Sequence, residues 1–259
     1  VMKKTLLEKT ADKLVNAFTN NKIIAPLPLK FTKKLSEAQK LRKLCESKIS
    51  DTVVGFKAAG TGIPVMKKFN EKKPFYASIF KKNFIKSGQK VKINKSTLGI
   101  ELEVCYLVKK SFFSARGSIN MKNVNKYISY MAPCIEVIGY RQRKKGITSF
   151  GDLCSDFGAN VKFLIGKKQK YKKIDINNLK TNIANKKINQ SVDGNTNTVY
   201  INPLNALRFV LNELKKDKIN LDKDFYIFTG STVGVVPILG KGLYEGKIKD
   251  LGSAKAIIY

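Results

Sequence analysis

The sequence predicts an α+β chain in which a helical N-terminal portion, residues 1–50, precedes a β-rich core, residues 51–259. Three observations carry this. Apolar residues recur at helical spacing near the start, in a short run at 121–131 and again near residue 205. Short apolar runs bounded by glycine, proline and asparagine fill most of the rest. Neither an internal repeat nor a composition break marks a linker, so the 259 residues read as one unit.

Taken in order, residues 4–20 place Leu6, Leu7, Ala11, Leu14, Val15 and Phe18 on one helical face, and Asn20-Asn21 with the prolines of IIAPLPL end the helix. A second helix is expected from LSEAQKL, with Ser36 and Gln39 as a capping box ahead of Leu41, Leu44 and Cys45. DTVVGFKAAGTG suits a strand running into a glycine loop, and PFYASIF, QKVKI and GIELEVCYLV are further β-type runs. MKNVNKYISYM reads as a helix with Val124, Ile128 and Met131 on one side, followed by the strand PCIEVIGYR. LKTNIANKKINQSV resembles a hairpin turning near Asn185-Lys186. Asn202 is an N-cap and Pro203 the first residue of a helix in NPLNALRFVLNEL, and DFYIFTGSTVGVVPI and AKAIIY are closing strands.

Composition narrows the function. The formal charge is +31, which raises an anionic partner, but only five of the 50 basic residues are arginine. Phosphate and base recognition favours the bidentate guanidinium, and no arginine-aromatic stripe is present, so nucleic acid is not expected as a partner. Four cysteines lie singly with no C-x-x-C pair and read as reduced thiols, which with the absence of a signal-like leader points to the cytoplasm. No run approaches the ~18 apolar residues of a spanning helix, so no membrane partner is expected. Histidine is absent altogether. That excludes Ser-His-Asp and Cys-His catalysis and every histidine-ligated metal site.

The acidic residues are placed unusually. Between Glu71 and Asp152 the sequence holds only Glu101, Glu103 and Glu136, all inside apolar strands and not in the lysine-rich turns. Glu101 and Glu103 leave the same face of their strand. A lone glutamate in a half-buried strand more often faces solvent beside a lysine. Three concentrated in this way also suit a pocket for a hard divalent ion, Mg²⁺ or Mn²⁺, because buried carboxylates are costly unless paired or bound to metal.

The E-x-E strand, the later single glutamate and the ordered segments IIAPLPL, VVGFKAAGT, PFYASIF, APCIEVIGYR, CSDFGANVKFLIG, NPLNALRFVLNEL, TGSTVGVVPI and DLGSAKAII resemble the hydratase and decarboxylase branch of the fumarylacetoacetate hydrolase superfamily, typified by 2-keto-4-pentenoate hydratase. The resemblance implies a mixed β-sheet roll or barrel with the N-terminal helices packed on it. It also implies Glu101, Glu103 and Glu136 as ligands of Mg²⁺ or Mn²⁺, and Lys57 facing the pocket to bind the substrate carboxylate or move a proton. Asp156 matches an aspartate of the family pattern, as a catalyst or a structural acceptor, and Ser231 and Thr232 lie in a loop that holds the substrate's carboxylate. Tyr76 and Tyr140 are candidates to face the pocket. The implied activity is hydration of a small 2-hydroxy-dienoate or 2-oxo-enoate, with decarboxylation of a 2-oxo-enedioate as the alternative, by a homo-oligomer. Three positions depart from the pattern: Phe75 replaces an aspartate, Phe157 an asparagine and Asn202 a histidine. They leave open a homologue that keeps the metal site and has lost the chemistry.

Overall fold

A computed structural model describes residues 2–259, and the elements below are those of the described residues. The helices are α1 (Leu6–Thr19), α2 (Leu35–Ser47), α3 (Ile63–Lys68), α4 (Phe150–Ser155) and α5 (Pro203–Lys216). The strands are β1 (Val53–Ala59), β2 (Phe75–Phe80), β3 (Phe84–Lys86), β4 (Lys90–Val91), β5 (Thr97–Val108), β6 (Ile128–Gly139), β7 (Asn160–Ile165), β8 (Gln169–Lys170), β9 (Lys180–Asn185), β10 (Gln190–Asn195), β11 (Phe225–Ser231), β12 (Gly242–Ile248) and β13 (Gly252–Ile258).

The larger sheet runs β2-β1-β11-β5-β6-β7-β3, with β8 added to the end of β6. It is mixed: β1 is parallel to β11 and β3 to β7, and the remaining pairs are antiparallel. The smaller sheet runs β10-β9-β12-β13-β4. Leu102 and Val104 of β5, Ile135 of β6, Ile183 of β9 and Ala254 of β13 share one buried apolar core, so the smaller sheet closes over one face of the larger. The long strands β5 and β6 form the centre. Their pairing brings Glu101 directly opposite Glu136.

Helix α5 forms where the spacing places it. The Asn202 side chain accepts the Asn205 N–H at 2.8 Å and Pro203 opens the first turn. Its buried residues Leu207, Val210, Leu211 and Leu214 join the main core, each contributing about 1.5–3 kcal/mol by leaving water. The hairpin also forms, with β9 and β10 joined through a turn that ends at Asn189 (φ 53).

Two local expectations are corrected. The segment 121–131 is not a helix: a short 3₁₀ turn, Val124–Tyr127, leads directly into β6 at Ile128. Asn120 explains part of this, since its side-chain oxygen accepts the N–H groups of Lys122 and Asn123 and competes with helical bonding. Pairing of Ile128 with Val108 and of Met131 with Tyr106 supplies burial as strand instead. The capping box expected at Ser36 and Gln39 is also absent. Helix α2 already begins at Leu35, with Lys34 as an N-cap that makes no side-chain bond. A capping box occurs instead at α1, where Glu8 accepts the Thr5 N–H at 2.7 Å and Thr5 accepts the Glu8 N–H at 3.2 Å.

Candidate metal centre

Glu101 and Glu103 leave β5 on one face, and Glu136 on the neighbouring β6 faces them. One carboxylate oxygen from each lies within 4.8 Å of the others. Glu103 and Glu136 are fully buried, and Glu101 is partly open to solvent. No sequence-local rule would bury three carboxylates together. The strand register does it.

Two polar groups from other strands partly compensate the charge. Lys57, from the middle of β1, is buried and donates to Glu136 Oε1 at 2.5 Å and to the Gly158 carbonyl at 2.7 Å. From β11, the Gly230 N–H donates to Glu103 Oε2 at 2.7 Å. Gly230 has φ 111, and a Cβ there would fall 2.1 Å from Thr61 Oγ1, so only glycine brings this N–H so close to β5. Two buried oxygens, Glu103 Oε1 and Glu136 Oε2, still have no hydrogen-bond partner. Buried acceptors are normally satisfied, and an orphaned pair of carboxylate oxygens beside a third carboxylate is the donor set of a hard divalent cation. The residues therefore fit such an ion.

The electrostatics agree. Burial and the facing Glu136 push the Glu101 carboxyl up to about 8, and burial with Glu136 and Glu101 holds Glu103 well above the usual carboxylate range. Burial pulls the Lys57 ammonium down, but Glu136, Glu101 and Glu103 outweigh it and keep the ammonium above its ordinary value. Without a cation the cluster thus favours protons. Because the Glu101 value rises from 4.5 to about 8 on folding, its contribution to stability is complete below about pH 4.5 and is lost as the pH approaches 8. In thermal melts of chelator-treated protein, Glu101→Gln should therefore gain stability relative to the parent as the pH is raised from 5 to 9. A difference constant across that range would contradict the linkage.

The remaining candidates separate into near and far. Asp156 is buried two residues before Gly158, whose carbonyl meets Lys57, its Oδ2 accepting the Arg141 N–H at 2.5 Å and its Oδ1 the Arg141 guanidinium at 3.3 Å. After it, Phe157, Gly158 and Ala159 are all left-handed (φ 54, 69 and 64), an arch that presents the Gly158 carbonyl to Lys57. Ser231 and Thr232 follow Gly230, but their hydroxyls are engaged by backbone: Ser231 Oγ donates to the Gly234 carbonyl at 2.6 Å and Thr232 Oγ1 to the Leu102 carbonyl at 2.9 Å. They brace the loop. Tyr76 lies elsewhere, its hydroxyl donating to Asp217 at 2.6 Å and its ring stacked on the Arg42 guanidinium, and the Tyr140 hydroxyl donates to the Gly146 carbonyl.

The three departures have structural explanations. Phe75 packs edge-on against Phe150, Phe157 stacks on Phe18 of α1 with ring centroids 4.1 Å apart, and Asn202 caps α5. Sequence reasoning missed the Gly158 carbonyl, the Gly230 N–H and Thr61. Only glycine spacing in CSDFGAN and TGSTVG hinted at them.

No protein-family model and no curated protein matches the chain. Solved structures do. A 4-oxalocrotonate decarboxylase from Pseudomonas putida G7, complexed with magnesium and adipate, is 20% identical with a TM-score of 0.85, over 100% of this chain and 99% of that one. A fumarylpyruvate hydrolase from Pseudomonas aeruginosa, in complex with Mn²⁺ and pyruvate, is 12% identical with a TM-score of 0.56, over 82% and 92% of the two chains. A 5-carboxymethyl-2-hydroxymuconate delta-isomerase from Mycobacterium smegmatis is 11% identical with a TM-score of 0.54, over 80% of each chain. At these identities the likeness is one of fold: a mixed α+β chain with a curled sheet, of the fumarylacetoacetate hydrolase type.

Proposed function

We propose that this chain is a divalent-metal-dependent lyase that adds water to a small 2-hydroxy-dienoate or 2-oxo-enoate, with Glu101, Glu103 and Glu136 holding Mg²⁺ or Mn²⁺. The observation that carries the reading is the convergence of three buried carboxylates, two with orphaned oxygens, beside a buried lysine. Enzymes of the same fold that were solved with magnesium or with Mn²⁺ and pyruvate support it. A bound divalent cation would supply Lewis acidity, drawing electron density from the carbonyl of a 2-oxo acid so that negative charge developing beside it is stabilised.

In this reading the chain's own groups take the following roles. Lys57, cationic and clamped by Glu136 and Gly158, has a third N–H direction left with which to hold the substrate carboxylate or deliver a proton. The Ser231–Thr232 loop binds substrate through the backbone that its hydroxyls brace, and Gly230 keeps Glu103 oriented. Asp156, with both oxygens on Arg141, acts as a positioning residue that fixes the arch carrying the Gly158 carbonyl. The same reading includes a homo-oligomer in the cytoplasm. No helix among the described residues is long and apolar enough to cross a membrane.

A second reading, decarboxylation of a 2-oxo-enedioate, is favoured by the full-length likeness to the 4-oxalocrotonate decarboxylase. Assays with added Mn²⁺ separate the two. The hydratase reading expects turnover of 2-hydroxypentadienoate without carbon dioxide release from 2-oxo-3-hexenedioate, and the reverse pattern favours the decarboxylase. No turnover of either while Mn²⁺ still binds would overturn both and leave a metal and 2-oxo-acid binding protein, as the Phe75 and Phe157 departures allow.

A further inference from the structure

We propose that Phe18 of α1 is a positioning residue for Lys57, acting through the arch at Phe157 and Gly158, so that the helical N-terminal portion sets where the buried ammonium stands over the three carboxylates. The inference rests on the metal-centre reading above and adds to it an element outside the strands that carry the ligands.

The arch lies between two layers. Phe157 is buried with Ala11 and Leu14 of α1 and Leu41 and Cys45 of α2, in an apolar cluster separate from the main core. The next residue, Gly158, presents its carbonyl to Lys57 Nζ at 2.7 Å. A single peptide link therefore joins the helical core to the metal centre. There is no slack on the strand side, because a Cβ at Gly158 would fall 2.7 Å from Ala77 Cβ and 3.4 Å from Lys57 Cδ. Displacement toward β1 and β2 is blocked, so the contacts at the two ends of the arch and on its helical side decide whether it can retreat.

The ends are tied by Arg141, which donates to Asp156 and, at 2.7 Å, to the Asn160 carbonyl. The middle is tied by Phe18. Its ring stacks on Phe157 with centroids 4.1 Å and planes 21° apart, meets Phe80 edge-on at 6.2 Å, and has the Arg141 guanidinium carbon 5.0 Å from its centroid. Phe157 holds φ 54, an unfavourable conformation for a bulky residue, and burial of its ring offsets that strain. The chain leaving α1 is pinned beside the same residues: the Ile24 N–H donates to the Arg141 carbonyl at 2.9 Å and the Leu27 N–H to Gln142 Oε1 at 2.7 Å. Phe18 is only half-buried, whereas Ala11, Leu14 and Ala17 are buried and seat the helix, so loss of the Phe18 ring leaves α1 in place.

The consequence falls on Lys57. Its ammonium has two acceptors, Glu136 Oε1 and the Gly158 carbonyl. With the carbonyl withdrawn, the acceptors without a partner in the cluster are Glu103 Oε1 and Glu136 Oε2, the oxygens that a divalent cation needs. An ammonium turned onto them competes with the metal and no longer offers an N–H to a substrate carboxylate.

A double-mutant cycle of Phe18→Ala and Lys57→Met tests this by calorimetric titration with Mn²⁺, and then with pyruvate on the Mn²⁺-loaded protein. With Lys57 present, Phe18→Ala is expected to weaken each affinity roughly tenfold, the scale of one aromatic contact. In the Lys57→Met background it is expected to change neither by more than about twofold, the spread of independent sites. Phe18→Tyr, which keeps the ring, is expected to restore both, and Phe18→Leu runs the same cycle if the alanine variant fails to fold. Equal losses in the two backgrounds, or none in either, would reduce Phe18 to packing and overturn the proposal, while binding of Mn²⁺ and pyruvate by the parent leaves the metal centre standing. A parent that binds neither would overturn the metal-centre reading and the positioning role with it.

Discussion

Substituting Glu103 by glutamine is expected to lower Mn²⁺ affinity by at least about a hundredfold, the upper end of what the loss of even an outer-shell partner costs, and to raise the melting temperature of the metal-free protein. The two effects share one cause. Glu103 is fully buried, accepts the Gly230 N–H through one oxygen and leaves the other without a partner. Glutamine keeps an acceptor for Gly230 and replaces the orphaned oxygen with an N–H donor, in a cluster where Glu136 also has an orphaned acceptor within reach. It also removes one of three carboxylates that repel one another in a desolvated setting. For a chain of this size about 1 kcal/mol corresponds to about 2–4 °C, so a gain of a few degrees is the expected scale. Scanning calorimetry with chelator and with Mn²⁺ reads both changes. Unchanged Mn²⁺ affinity would remove Glu103 from the ligand set, and a fall in the metal-free melting temperature would show that the Gly230 contact needs the full charge.

The carboxylate cluster was legible because its signal was one of scarcity. In a chain so rich in lysine, eighty residues with only three acids, each inside an apolar strand, leave few readings, and the period of two places Glu101 and Glu103 on one face without further information. Register supplied what the sequence could not. That Glu136 stands opposite Glu101, and that Lys57 reaches Glu136 across 79 positions of sequence, are consequences of how β1, β5 and β6 come together. The arch at Phe157, Gly158 and Ala159 was less legible still, because two of its three left-handed residues are not glycine. Phe157 is held there by its stack on Phe18, a contact between the N-terminal helices and the core that no local pattern encodes.

The misread segment at 121–131 has the complementary lesson. Val124, Ile128 and Met131 fit a helical period, but Ile128 to Met131 fit a strand equally well over so short a run. Partner availability decided it: β5 presents twelve residues of edge, and β6 satisfies that edge along nearly its whole length. The same extended pairing fixes Glu136 in register with Glu101, so the element that local reasoning misjudged at its start is the one that completes the site.

Lys57→Met is expected to separate the metal from the chemistry. The lysine is the cation paired with the cluster among the described residues, donating to both Glu136 and Gly158 from a buried position. Methionine fills a similar length without the charge, and breaking a buried ion pair in this way costs about 3–5 kcal/mol. Protonation of the carboxylates offsets part of that loss, since burial already favours their neutral forms. Metal binding should move the other way. With the competing ammonium gone, the three carboxylates attract Mn²⁺ more strongly, and the melting temperature gained on adding Mn²⁺ should exceed that of the parent. Turnover should nevertheless fall by about 10²–10⁴, the usual contribution of a placed proton donor or acceptor. A lower metal-free stability, a larger Mn²⁺-induced shift and a slower reaction together assign Lys57 to the substrate. Retained turnover with weakened Mn²⁺ binding would reassign it to arranging the carboxylates, because an ammonium that only orients Glu136 has no reason to affect the reaction once the metal is held.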